Sequence, residues 1–94
     1  MKIVGSVWPE GAAQQVHQQH NIDPDEVDEL LIGQPLFRFI EESHRAGERV
    51  YAAFGQTQAG RYLVAFFLHT PDDQAKILWA RDMRRAERKR YDHT

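Results

Sequence analysis

The sequence predicts an α+β domain, a small four-stranded antiparallel meander flanked by helices. Three observations carry that expectation. The first third reads in helical punctuation, and residues 36–81 break into four β-rich runs joined by short turns. The last fourteen residues form a polar, basic run with almost no apolar side chain. Length agrees, because 94 residues make one core and leave no room for a second core with a linker. That length excludes a multi-domain enzyme or a large cofactor fold such as a Rossmann domain. Hydrophobic residues at 41% and charged residues at 28% separate the chain from disordered tails.

Residues 2–8 read as a short opening strand, since Ile3, Val4 and Val7 favour extended backbone. Residues 9–20 read as a polar surface helix: Pro9 suits a first turn, Gly11 is the weak spot, and Ala12, Ala13 and Val16 form its only apolar face. The run IDPDEVDELLIG is a stronger helix. Asp23 caps it, Pro24 fits its first turn, and Asp25 and Glu26 sit at the positive end of the dipole. Val27, Leu30 and Leu31 share one face, and Gly33 offers a left-handed stop before Pro35.

The strands are expected at 36–41, 49–57, 61–69 and 75–81, separated by Ala46-Gly47, TQAG at 57–60 and TPDD at 70–73. Short connections make neighbours antiparallel. The run Leu63 to Leu68 is apolar on both faces, so it belongs in the middle of the sheet and is covered on both sides. Asp82 is placed to cap a final basic helix.

Net charge is −2. The sum hides a split: residues 1–47 carry three Lys/Arg against eight Asp/Glu, and residues 48–94 carry nine against six. Six of the twelve basic residues, Arg81, Arg84, Arg85, Arg88, Lys89 and Arg90, fall in the last fourteen positions. A basic face thus coexists with an acidic total. The absence of cysteine excludes disulfides, thiolate zinc sites and thiol nucleophiles. With no apolar run near the length of a signal peptide or membrane span, a cytoplasmic location is expected.

His17 and His20 stand three apart, but the HExxH spacing and glutamate are absent, so the pair reads as solvated surface and no metal is expected. The Asp23-Asp25-Asp28 cluster lacks the glycine and final glutamate of a calcium loop and reads as a helix start. Arginine binds phosphate bidentately. Arg61 and Arg81 flank apolar strands, a placement that suits a cleft. Arg84, Arg85, Lys89 and Arg90 read first as a solvated helix face. Trp8 and Tyr51 are the aromatics open to base stacking, with core packing as the plainer reading. Serine triads and glycine-rich phosphate loops are missing.

Three stretches taken in order, WPEGAAQQVHQQHNIDPDEVDELL, GERVYAAFGQTQAGRYLVAFFL and ILWARDMRRAERKRY, resemble the BrnT family of bacterial toxins over essentially the whole chain. The carboxyl-terminal ARDM…AERKRY stretch is the most specific part. The resemblance implies a RelE-like fold and a ribonuclease toxin of a type II toxin–antitoxin system. Its implied partner is a BrnA-like antitoxin with a ribbon-helix-helix DNA-binding domain, with which it forms a hetero-oligomer. No cofactor and no membrane are implied.

Carried over residue by residue, Trp8 matches the opening tryptophan and His20 the histidine after the first helix, while Glu48, Arg61 and Arg81 match the later glutamate and arginines. The implied catalytic set is His20, Glu48, Arg61 and Arg81. Trp8, Arg49, Arg84, Arg85 and Arg88 are the expected RNA-binding residues. The chemistry the resemblance implies is metal-independent attack by the ribose 2′-hydroxyl, with His20 as either base or acid, Glu48 as a candidate complement, and the two arginines holding the phosphate. Gln19 and Val16 stand where the family commonly has lysine and asparagine, and Pro9 where it has aspartate. Those departures favour the alternative, a catalytically silent module of the same fold that binds a partner protein or RNA.

Overall fold

A computed structural model describes residues 1–43 and 47–93. It is a five-stranded mixed sheet with three helices. The strands are β1 (Gly5–Val7), β2 (Leu36–Glu42), β3 (Arg49–Gln56), β4 (Tyr62–His69) and β5 (Gln74–Asp82). The helices are α1 (Ala12–His20) and α2 (Pro24–Ile32), between β1 and β2, and α3 (Arg85–Asp92) at the end. Sheet order is β1-β5-β4-β3-β2. The four later strands form the antiparallel meander that the short turns predict. The four-stranded expectation is corrected by β1, which joins in parallel beside β5 with Gly5, Ser6 and Val7 opposite Gln74, Ala75 and Lys76. Its partner lies about seventy residues downstream in the chain, so no local turn announces the pairing.

Strand β4 is central, as its two apolar faces require. On one face Leu63, Ala65 and Phe67 meet Val16 of α1, Ile22, and Val27 and Leu30 of α2 in a single buried cluster. Fully burying a side chain such as Phe67 contributes about 1.5–3 kcal/mol. Val50, Ala52 and Val64 are buried on the other face. There α3 lies across one end: Arg88 covers the Tyr62 ring at 4.0 Å, and Tyr62 donates to Asp92 at 2.9 Å. Two bulges leave Ile40 in β2 and Leu78 in β5 without a register partner, and both are 42% exposed.

Helix boundaries differ from expectation for identifiable reasons. Helix α1 starts at Ala12, because Gly11 adopts φ +82° and breaks the run that begins at Pro9. Helix α2 begins as expected, with the Asp23 N–H donating to the Glu26 carboxylate at 3.1 Å. Gly33 is not left-handed (φ −84°), and Gln34 takes that conformation instead. Gly33 is needed for space, since a Cβ there would sit 3.0 Å from the Glu29 carbonyl oxygen. Asp82 ends β5 rather than capping α3. The cap position is Arg84, whose N–H donates to Glu87 at 2.8 Å. The expected Ala46-Gly47 turn falls partly outside the described residues. Among those described, no helix is long and apolar enough to cross a membrane.

Candidate functional site

The densest polar cluster forms where α1 ends, α2 begins and the β3–β4 turn meets the end of β5. Asn21 takes a left-handed conformation (φ 54°) and reverses the chain after His20, exposing the last carbonyls of α1. The turn at 57–61 is fastened by buried Thr57, whose hydroxyl accepts from the Arg61 N–H at 3.1 Å. This sets Arg61 on the same face as Leu63, pointing at the helix junction.

Every N–H of the Arg61 guanidinium has an acceptor. Nε and Nη2 grip the Asp82 carboxylate at 2.8 and 3.1 Å, and Nη2 also donates to the His20 carbonyl at 2.8 Å. Nη1 donates to the Asn21 carbonyl at 2.8 Å and to Glu26 at 3.3 Å. The fork therefore caps α1, ties it to α2 and anchors both to β5. Hydrogen bonding to Asp82 raises the Arg61 pKa further, and the same contact holds the Asp82 carboxyl below its usual range.

Arg81 is similarly engaged on the other face. It makes a two-pronged pair with Glu87 at 2.7 and 3.0 Å and lies over the Phe66 ring at 5.5 Å. That pairing lowers the Glu87 pKa to about 2. The two arginines expected to hold phosphate are thus bound to carboxylates, Arg61 with all its donors occupied.

His20, the last residue of α1, is half-buried, with its ring edge-on to Trp79 at 5.1 Å. The structure thus brings His20 and Arg61 together. Glu48 and Arg49 lie at the opposite end of the sheet: Gln56 pairs with Tyr62, whereas Arg49 pairs with His69. Seven residues of strand separate the two ends, roughly 23 Å. Glu48 is not within reach of His20 as a proton-transfer partner.

Trp8 packs on the core cluster with its indole N–H enclosed and lacking a hydrogen-bond partner among the described residues. Arg84, Arg85 and Arg88 are exposed on and beside α3, as are Lys89 and Arg90.

Asp82 and Glu87 offset part of the basic charge on sequence grounds, but their pairing with Arg61 and Arg81 is not legible there, nor is Glu26 as a partner of Arg61 or His69, whose Nε2 meets Asp73 at 3.0 Å beside Tyr51. The i,i+4 spacing across a hairpin is the signal for the last pair. The others depend on register. Among the described residues, no three or more His, Asp or Glu side chains gather in a metal-binding cluster. Compared with protein-family models and with curated proteins, the chain matches none.

Proposed function

We propose that the protein is the RNA-cleaving member of a toxin–antitoxin pair, of the BrnT type and RelE-like in fold, with a DNA-binding antitoxin as partner. The observation that carries this reading is the half-exposed His20 imidazole at the end of α1, set edge-on against Trp79, with its own carbonyl held by Arg61. An aromatic wall on one side and solvent on the other leave an imidazole held in place yet open for proton transfer.

In the reaction, the ribose 2′-oxygen forms a bond to phosphorus as the bond to the 5′-oxygen breaks. The 2′-proton leaves and the 5′-oxygen gains one, giving a 2′,3′-cyclic phosphate. His20 supplies one of these transfers and water the other. Arg61 acts as a positioning residue, fixing the end of α1 through the His20 carbonyl. Arg84, Arg85 and Arg88, exposed around α3 on the face opposite α1, attract the RNA backbone at large rather than the phosphate that reacts at His20.

A specific observation favours a second reading, a catalytically silent binding module: both candidate phosphate arginines are occupied by carboxylates. One experiment separates the two. Purified protein is incubated with single-stranded RNA in chelator, alongside His20→Ala. The nuclease reading expects cyclic-phosphate ends from the wild type and at least a hundredfold less cleavage from the variant. RNA left intact by a folded wild type rejects it in favour of the silent module.

A further inference from the structure

Strand β2 forms an edge of the sheet, and no described strand lies beyond it. All of its side chains except Phe37 are exposed, including Leu36 at 42%, Phe39 at 51% and Ile40 at 42%. An apolar edge this open is a template for a further strand. It also carries two charges of opposite sign, Arg38 and Glu41, and neither has an ion-pair partner among the described residues. In an unbroken strand, residues three apart point to opposite faces. Here the bulge at Ile40 sets Arg38 opposite Ala52 and Glu41 opposite Val50. Both charges therefore lie on the sheet face away from α1 and α2. Between them, Phe39 lies on the helix face opposite Tyr51.

That arrangement is complementary to itself. Opposite residues of an antiparallel pair share a face. When a second β2 edge is related to the first by a two-fold axis at Phe39, that residue meets its own counterpart. Arg38 of each copy then meets Glu41 of the other, and symmetry makes the ion pair twice. Centring the pair on Arg38 or on Glu41 instead sets like charges opposite one another, so charge selects the register. The bulge, a feature that often ends pairing at an edge, here brings the two charges onto one face. We propose that two copies of the chain pair through β2, antiparallel and edge to edge, to form one continuous sheet. Phe39 stands at the axis with an Arg38–Glu41 ion pair on either side. Main-chain bonds and the covering of Leu36, Phe39 and Ile40 give affinity, and the ion pairs fix the register. The contact uses neither His20 nor α3, so it holds whether or not the protein cleaves RNA.

The test is sedimentation equilibrium of the full chain. The wild type is expected to dimerise with a dissociation constant between about 1 and 100 μM, as suits a single pair of strands. Arg38→Glu and Glu41→Arg each set like charges opposite one another at two symmetric positions, and each weakens the dimer at least about tenfold. Both side chains are exposed, and circular dichroism checks that the variants keep the fold. Mixed in equal amounts, the two variants are complementary again and form a heterodimer within about threefold of the wild-type affinity. The double variant, Arg38→Glu with Glu41→Arg, regains the homodimer. Ile32→Ser, at an exposed apolar residue of α2, leaves dimerisation unchanged. The proposal is overturned by a wild type that stays monomeric at about 1 mM, or by single variants that dimerise as the wild type does. It is also overturned if the two single variants fail to associate when mixed, or if Ile32→Ser dissociates the dimer.

Discussion

Replacing Arg61 with alanine removes the cap on α1, its tie to α2 and the anchor to β5 in one step. The two donations to the His20 and Asn21 carbonyls, both at 2.8 Å, are charge-assisted bonds from a side chain 28% exposed. At that exposure each contributes about 1 kcal/mol. The pair with Asp82 adds only about 0.5–1 kcal/mol, because that carboxylate is 54% exposed and screened by water. Together they predict a loss of roughly 2–3 kcal/mol, which for a domain of this size lowers Tm by about 10–20 °C. Urea and thermal unfolding followed by circular dichroism measure both quantities. Arg61→Lys keeps the charge but not the planar fork, and recovers less than half of the loss. A loss below about 0.5 kcal/mol for Arg61→Ala would refute the reasoning, since it would mean the guanidinium is free for a ligand rather than committed to the fold.

Four further expectations follow from the same geometry. Glu87, with its pKa lowered to about 2 by Arg81, contributes stability that is present above the unfolded carboxylate range near 4.5 and lost as pH falls toward 2. With about a quarter of the side chain open to water, roughly 1–2 kcal/mol is expected from that linkage, and Glu87→Gln flattens the stability slope between about pH 5 and 2. Gly55→Ala places a Cβ 3.2 Å from the Leu30 side chain and 3.5 Å from Pro35, and costs about 1–2 kcal/mol by urea titration. Phe67→Ala empties the centre of the sheet face under the helices and costs about 3–5 kcal/mol in the same measurement. If the α3 cations bind RNA, affinity falls steeply with salt, and Arg85→Ala with Lys89→Ala reduces the log–log salt slope by about 1–2; an unchanged slope places the RNA elsewhere.

What the sequence disclosed was the part of the fold governed by local pattern. The unbroken run from Leu63 to Leu68 identifies the central strand because only a strand covered on both faces tolerates it. Asp23, Pro24 and Glu26 mark the start of α2 because a helix end must satisfy its own N–H groups within one turn. Long-range pairings were hidden. The opening strand is legible within residues 2–8 and forms at Gly5–Val7, but its parallel neighbour is fixed only once the meander exists.

The candidate site divides along the same line. His20 and Arg61 carry chemistry visible in their residue types, but their meeting depends on the turn at Asn21 and on the register that places Asp82 opposite Leu63. Asp82 illustrates the ambiguity. An aspartate just before a helix favours a cap, yet a guanidinium 2.8 Å away is the stronger claimant on its carboxylate. Glu48 and Arg49 were grouped with the site by motif order, and the length of β3 separates them from it.

The central functional claim is that His20, held against Trp79, transfers a proton in RNA cleavage without a metal. Its most direct test is the 3′-end chemistry of single-stranded RNA exposed to wild type and to folded His20→Ala in the presence of chelator. The account predicts 2′,3′-cyclic phosphates from the wild type and their near-complete loss in the variant. Equal cleavage by the two proteins, or intact RNA with both, would contradict it.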